Sequence, residues 1–429
     1  MTVSSDRLTV LVCLLLLSAA GPACSGSDGE DDEPSDPTTP LELSSDNLGV
    51  GFHHGEAGVL PDRDQQAIVD TAKSTFSHAF LHVQAYDEHS WEFGEWEVYP
   101  PQNRQGSDYR DFDAFKTNQR LGRLEPRSAD LVDEVQGTFG EQGFEQTGLV
   151  IDFWRMRGDW YVRWNGKLDE MVNLYGEGDY GFFRSEMVNA LLDDIEAVAE
   201  DEQLDYIIIG TEMERLLATD EGEGIAPDDF SNFKRFYRKA AARIQSVAPK
   251  TKVGSGFNWD RFARRVAPAY GEVEEGEIPG DATLARAFET VILPFVEAGD
   301  ILALKSYRKP EGEAGYYSFL ASRNRRFDLG GTPLIWYSIG SPVDNASADR
   351  KQRTYLKEFV AWNKGLEPEI VAWNSLLNID RTDGADKKNC EKMVESKKFQ
   401  LDEQHCYDGL VDTLFERKDV YEYLIDQIE

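Results

Sequence analysis

The chain is poor in cysteine, with only Cys13, Cys24, Cys390 and Cys406 among 429 residues. None forms a Cys-x-x-Cys pair or a Cys/His cluster, so no structural zinc, no other metal and no cofactor is expected. Basic residues are also scarce, 45 against 79 acidic ones, for a net charge of -34. Such a surface repels polyanions, which removes nucleic acid from the expected partners. The leading apolar run, Leu8 to Leu17, falls short of the roughly 20 residues a membrane helix needs. No Gly-x-Gly-x-x-Gly follows the first strand candidate, which counts against an open dinucleotide-binding sheet. No repeat of solenoid period is visible.

What is present is, first, an export signal. Arg7, the apolar run and the small residues Ser18 to Ala23 are the parts of a secretory leader. Residues 25–40 are acidic, Pro-rich and without a large apolar side chain, so they predict an extended, solvated tether. The organisation expected is a leader over 1–23, a tether over 24–40 and one folded body over 41–429. In an exported chain Cys390 and Cys406 are placed to pair, which would stabilise by roughly 3 kcal/mol in the chain-entropy picture.

From Leu48 onward, short apolar runs alternate with amphipathic helices, the pattern of βα units around a parallel sheet. Eight strand candidates can be counted: Gly49–Phe52, His78–Gln84, Gly148–Trp154, Tyr206–Gly210, Lys252–Asn258, Ile301–Tyr307, Pro333–Ile339 and Glu369–Asn374. Eight such units close as an α/β fold, a single (β/α)8 TIM barrel. Asp281 is expected to cap the helix before the sixth strand. Two connections, after the second and third strands, are long and rich in aromatics such as Trp91, Trp96, Trp160 and Trp164. They form either a cleft wall or a subdomain with its own small core.

Barrel enzymes draw their chemistry from the carboxyl ends of the strands. Those ends supply the carboxylates Asp152, Glu212 and Glu214, and the candidate sugar contacts His53, His82, Trp154, Asn258, Lys305, Tyr307, Ser338 and Trp373. Aromatic faces stack on sugar rings, and amides, carboxylates and His bind hydroxyls. A buried Lys305 needs a carboxylate, and pairing with Glu212 would hold that acid ionised. Glu214 is expected to pair with Arg215 or another basic neighbour.

Two resemblances sharpen this picture. Ala23-Cys24 resembles a bacterial lipoprotein cleavage site, although Gly21 stands where Leu is usual. It implies that Cys24 carries lipid and anchors the chain to a bacterial membrane, the outer membrane or cell surface; ordinary secretion is the alternative. Tyr206 to Glu214 resembles the fourth strand of the large clan of retaining (β/α)8 glycoside hydrolases, with Thr211 in place of the usual Asn and Glu212 in the acid/base position. Lys252–Trp259, Asp300–Tyr307 and Trp373 resemble its fifth, sixth and eighth strands. The seventh strand departs: Ser338 stands where the clan has its nucleophilic Glu, and no Glu occurs between Glu313 and Glu358. A retaining mechanism needs two carboxyl groups about 5 Å apart. Three readings follow: a hydrolase using another carboxylate (Glu214, Asp152, Glu56 or Asp344), a barrel that binds glycan without cleaving it, or a lipoprotein that serves as a protein-interaction body. Glu212 and Ser338 are expected across the mouth from one another, near Tyr307, Trp373 and Asn258.

Overall fold

The β-branched and aromatic runs form the strands. In the computed structural model they are β1 Leu48–His53, β2 His78–Gln84, β3 Gln146–Asp152, β4 Tyr206–Ile209, β5 in two pieces (Lys252–Gly254 and Gly256–Asn258), β6 Leu302–Tyr307, β7 Leu334–Gly340 and β8 Ile370–Trp373. The structure describes residues 40–53, 70–84, 143–153, 187–201, 204–219, 222–223, 227–274, 277–307, 315–326, 332–341, 348–375, 410 and 418–428. The leader, the tether, the two aromatic-rich connections, Glu56, Trp154, Asp344 and the three cysteines Cys24, Cys390 and Cys406 lie outside those residues.

Every pairing in the main sheet is parallel. The sheet begins and ends on the two pieces of β5, the first paired with β4 and the second with β6. A strand shared by both ends of a sheet closes it, so the nine segments make an eight-strand barrel. Gly256 N–H donates to Gly210 O at 2.8 Å across this seam. Only glycine fits there: a Cβ on Gly256 would lie 2.5 Å from the Tyr337 hydroxyl and 2.8 Å from Gly210 O.

The pleat sorts alternate side chains to two cores. Phe80, Val150, Tyr206, Ile208, Ala303, Ile335, Tyr337, Ile370 and Ala372 cluster inside the barrel. Their strand neighbours Ile207, Ile209, Leu304, Trp336, Val371 and Trp373 belong to the layer between barrel and helices. That layer receives α1 Met187–Asp201 through Leu191, Ile195 and Val198, and α2 Pro227–Val247 through Phe233, Phe236, Tyr237, Ala240 and Ile244. It continues with α3 Asp281–Val291, α4 Tyr316–Arg326, α5 Ala348–Trp362 and α6 Asp419–Ile428. The start of α3 differs from expectation by one residue: Gly280 is the N-cap and Asp281 is the first helical residue. Its carboxylate therefore favours the helix through the dipole rather than through a capping bond. No described helix is long and apolar enough to cross a membrane.

Candidate functional site

β4 ends at Ile209, and the chain then turns sharply. Gly210 has φ 83, and Glu212 has φ 49 and ψ 39, the left-handed region. Glu212 is the one non-glycine residue with positive φ among the described residues. Such a backbone costs roughly 1–2 kcal/mol and persists where surrounding contacts over-determine it. Here the contacts are ionic. Lys305 Nζ lies 2.8 Å from Glu212 Oε1, Arg261 Nη1 donates to Glu212 Oε2 at 2.5 Å, and Arg215 stands 4.0 Å away. Burial alone would raise the Glu212 carboxyl, but Lys305, Arg261 and Arg215 outweigh it and hold the group well below the usual carboxylate range. The pairing of Lys305 with Glu212 is thus as the sequence suggested, and it makes Glu212 a poor proton donor.

Glu214 enters the following turn, Met213–Leu216, with its side chain wholly buried. Its partner is Arg261 rather than Arg215: Arg261 Nη1 donates to Oε1 at 3.0 Å, and Asn258 N–H donates to Oε2 at 3.0 Å. With both oxygens engaged, Glu214 positions Arg261 and does not present a free carboxylate. Burial, opposed by Arg261 and reinforced by Glu212, pushes its pKa up to about 7. Between the ordinary carboxylate value and about 7 the folded chain therefore holds a proton that the unfolded chain has lost. Stability is expected to fall as pH rises through that window. Urea unfolding of Glu214→Gln across the window should show a flatter slope than the natural chain; an unchanged slope would refute the assignment.

Ser338 is fully buried and its hydroxyl donates to Asn374 Oδ1 at 2.7 Å. It lies in register with Lys305 on β6, beside an irregularity in β7 between Trp336 and Ser338. The amine that reaches Glu212 therefore stands next to the seventh-strand serine. Tyr337 fills the barrel below, and burial, with Glu212, Glu214 and Asp152 nearby, raises its hydroxyl well above the usual range. Asp152 is half-buried at the end of β3. The His82 ring lies 6.4 Å from that of Tyr337, and Lys305 Nζ sits 5.4 Å over the ring of Tyr307. The backbone of His53 pairs in register with His82.

One expected sugar contact is corrected, and a second has a partner within the fold. Trp373 points outward, 2% exposed, with its ring 6.3 Å from that of Tyr355 on α5. Strand parity decides this, since Ile370 and Ala372 take the inward places. Asn258 is 3% exposed, and its Oδ1 accepts from Arg261 N–H, capping the turn Trp259–Arg261.

That turn carries what sequence reasoning missed. Arg261 links Glu212 to Glu214, and the preceding Asp260 accepts from Tyr316 and Tyr317 hydroxyls at 2.8 and 3.0 Å and from Ser306 at 2.9 Å. The available signal was the block Asn-Trp-Asp-Arg directly after a barrel strand, where two charged residues follow a capping amide.

With this geometry in place, comparison with solved structures is informative about the fold. The chain superposes on an exo-β-1,4-mannosidase from Opitutaceae bacterium strain TAV5 with TM-score 0.50 at 12% identity, covering 92% of this chain and 61% of that one. A family 39 glycoside hydrolase from Bacteroides cellulosilyticus WH2 gives 0.46 at 13%, over 92% and 64%. An endo-1,4-β-D-mannanase from Thermotoga petrophila RKU-1 gives 0.48 at 14%, over 89% and 98%. The chain thus spans less than two thirds of the first two of these proteins. No protein-family model matches the sequence, and no curated protein does. The chain has a (β/α)8 barrel fold.

Proposed function

We propose that this protein is a glycan-binding barrel that does not cleave its ligand by the two-carboxylate route, carried on the cell envelope by a lipid on Cys24. The observation that carries the reading is the Glu212 carboxylate locked by Lys305 and Arg261, with Ser338 in the place of the attacking group. A held carboxylate accepts hydrogen bonds but does not release a proton to a leaving oxygen. The barrel fold, the half-buried Tyr307 and Asp152 and the aromatic-rich connections support a sugar as the ligand. The disulfide Cys390–Cys406 is part of the same reading, since it belongs to an exported chain.

Calorimetry with β-1,4-linked manno-, xylo- and cello-oligosaccharides, alongside turnover of dinitrophenyl glycosides, tests this. Binding without turnover is expected. Fast turnover that Glu212→Gln abolishes would make the protein a hydrolase instead, and an absence of binding to any glycan would favour the protein-interaction body. In the producing cells Cys24→Ser should move the chain from the membrane fraction to the soluble one.

A further inference from the structure

Arg215, Arg261 and Lys305 share the two carboxylates Glu212 and Glu214. Glu212 gives Oε1 to Lys305 and Oε2 to Arg261, and Glu214 spends both oxygens on Arg261 and the Asn258 backbone. The Ser338 hydroxyl is turned into Asn374. Lys305 is different. Its ammonium carries three N–H donors, and Glu212 is the one acceptor it meets among the described residues, with the Tyr307 ring as its other neighbour. Its side chain is 15% exposed where that of Glu214 is 0%. A cation with spare donors beside an aromatic face suits a ligand that brings an anionic oxygen on a flat ring.

We propose that the sugar entering this mouth carries a carboxylate, a uronic acid unit, with Lys305 as its charge partner and Tyr307 as its stacking face. This rests on the glycan-binding reading above and names the ligand class for it. The whole-chain charge of -34 decides between a polyanion and a single acidic unit. A chain of many charges is repelled, while one carboxylate within a largely neutral glycan feels mainly the local cations at physiological salt.

The test uses para-nitrophenyl glycosides in matched pairs, β-glucuronide with β-glucoside and β-galacturonide with β-galactoside, titrated calorimetrically into the full chain. At least one uronide is expected to bind about tenfold more tightly than its neutral partner. The advantage should shrink at high salt, disappear in Lys305→Met and survive in Lys305→Arg. Equal affinity within every pair, or Lys305→Met weakening both members alike, would overturn the proposal while leaving glycan binding intact. Failure of every glycoside and every neutral oligosaccharide to bind would overturn both. Should Lys305→Met lose its circular dichroism signature, the pairwise difference and its salt dependence in the natural chain still decide the matter.

Discussion

Ser338→Glu is expected to turn over a dinitrophenyl β-glycoside and to stay slow on the same sugar with an alkyl leaving group. The substitution supplies a carboxylate at the seventh-strand position, in register with Lys305, which can hold it ionised for attack. Glu212 is already ionised, so it can serve as the base that activates water in the second step. It cannot donate the proton that a poor leaving group needs in the first. A dinitrophenolate leaves without that proton. General acid catalysis contributes roughly 10²–10⁴-fold, so the ratio of the two rates should exceed that of an ordinary retaining enzyme by about that factor. Steady-state rates on the two substrates measure it. Equal acceleration of both would mean that Glu212 is protonated in the complex. No gain on either would mean that Ser338 does not face the bound sugar.

Arg261→Met is expected to lose about 3–5 kcal/mol of unfolding free energy, the range found when one partner of a buried ion pair is removed. Among the described residues Arg261 is the side chain paired with Glu214, and it shares Glu212 with Lys305. Without it, at a pH where Glu214 is ionised, a wholly buried carboxylate keeps one backbone N–H and no counter-charge. Combining Arg261→Met with Glu214→Gln should restore part of the loss, because two removed partners leave less uncompensated charge than one. Arg243 gives the contrast: it lies at the surface, with Asp193 well exposed and Glu196 half-buried, and surface pairs contribute roughly 0–1 kcal/mol. Denaturant midpoints of the variants measure both. A loss below about 1 kcal/mol for Arg261→Met would show that Glu214 takes up a proton in place of its counter-charge.

The barrel was legible because its signals are local. Each strand is a run such as Tyr206-Ile207-Ile208-Ile209 followed by a turn, and each helix an apolar stripe such as Phe233, Phe236, Tyr237, Ala240 and Ile244. The proximity of Lys305 to Glu212 followed from chemistry as simple, since a lysine on a barrel strand must find a carboxylate. Trp373 was misplaced because an aromatic at a strand end reads the same whichever face it takes; the register of β8 against β1, Val50 with Trp373, turned it to the helices. The capping bond of Asn258 was not legible because it depends on the turn that follows it.

By itself the sequence determined the eight βα units, the replacement of the seventh-strand glutamate by Ser338, and the charge balance that repels polyanions. These are written in composition and in periods of a few residues. Only the tertiary structure decided that β5 closes the barrel with both its halves, and that Arg261 rather than Arg215 takes Glu214. It likewise decided that Glu212 is clasped from two strands' ends while its backbone is forced left-handed. The physical reason is separation along the chain: Glu212, Arg261 and Lys305 lie far apart in sequence, and pairing at such range is fixed by strand order and register.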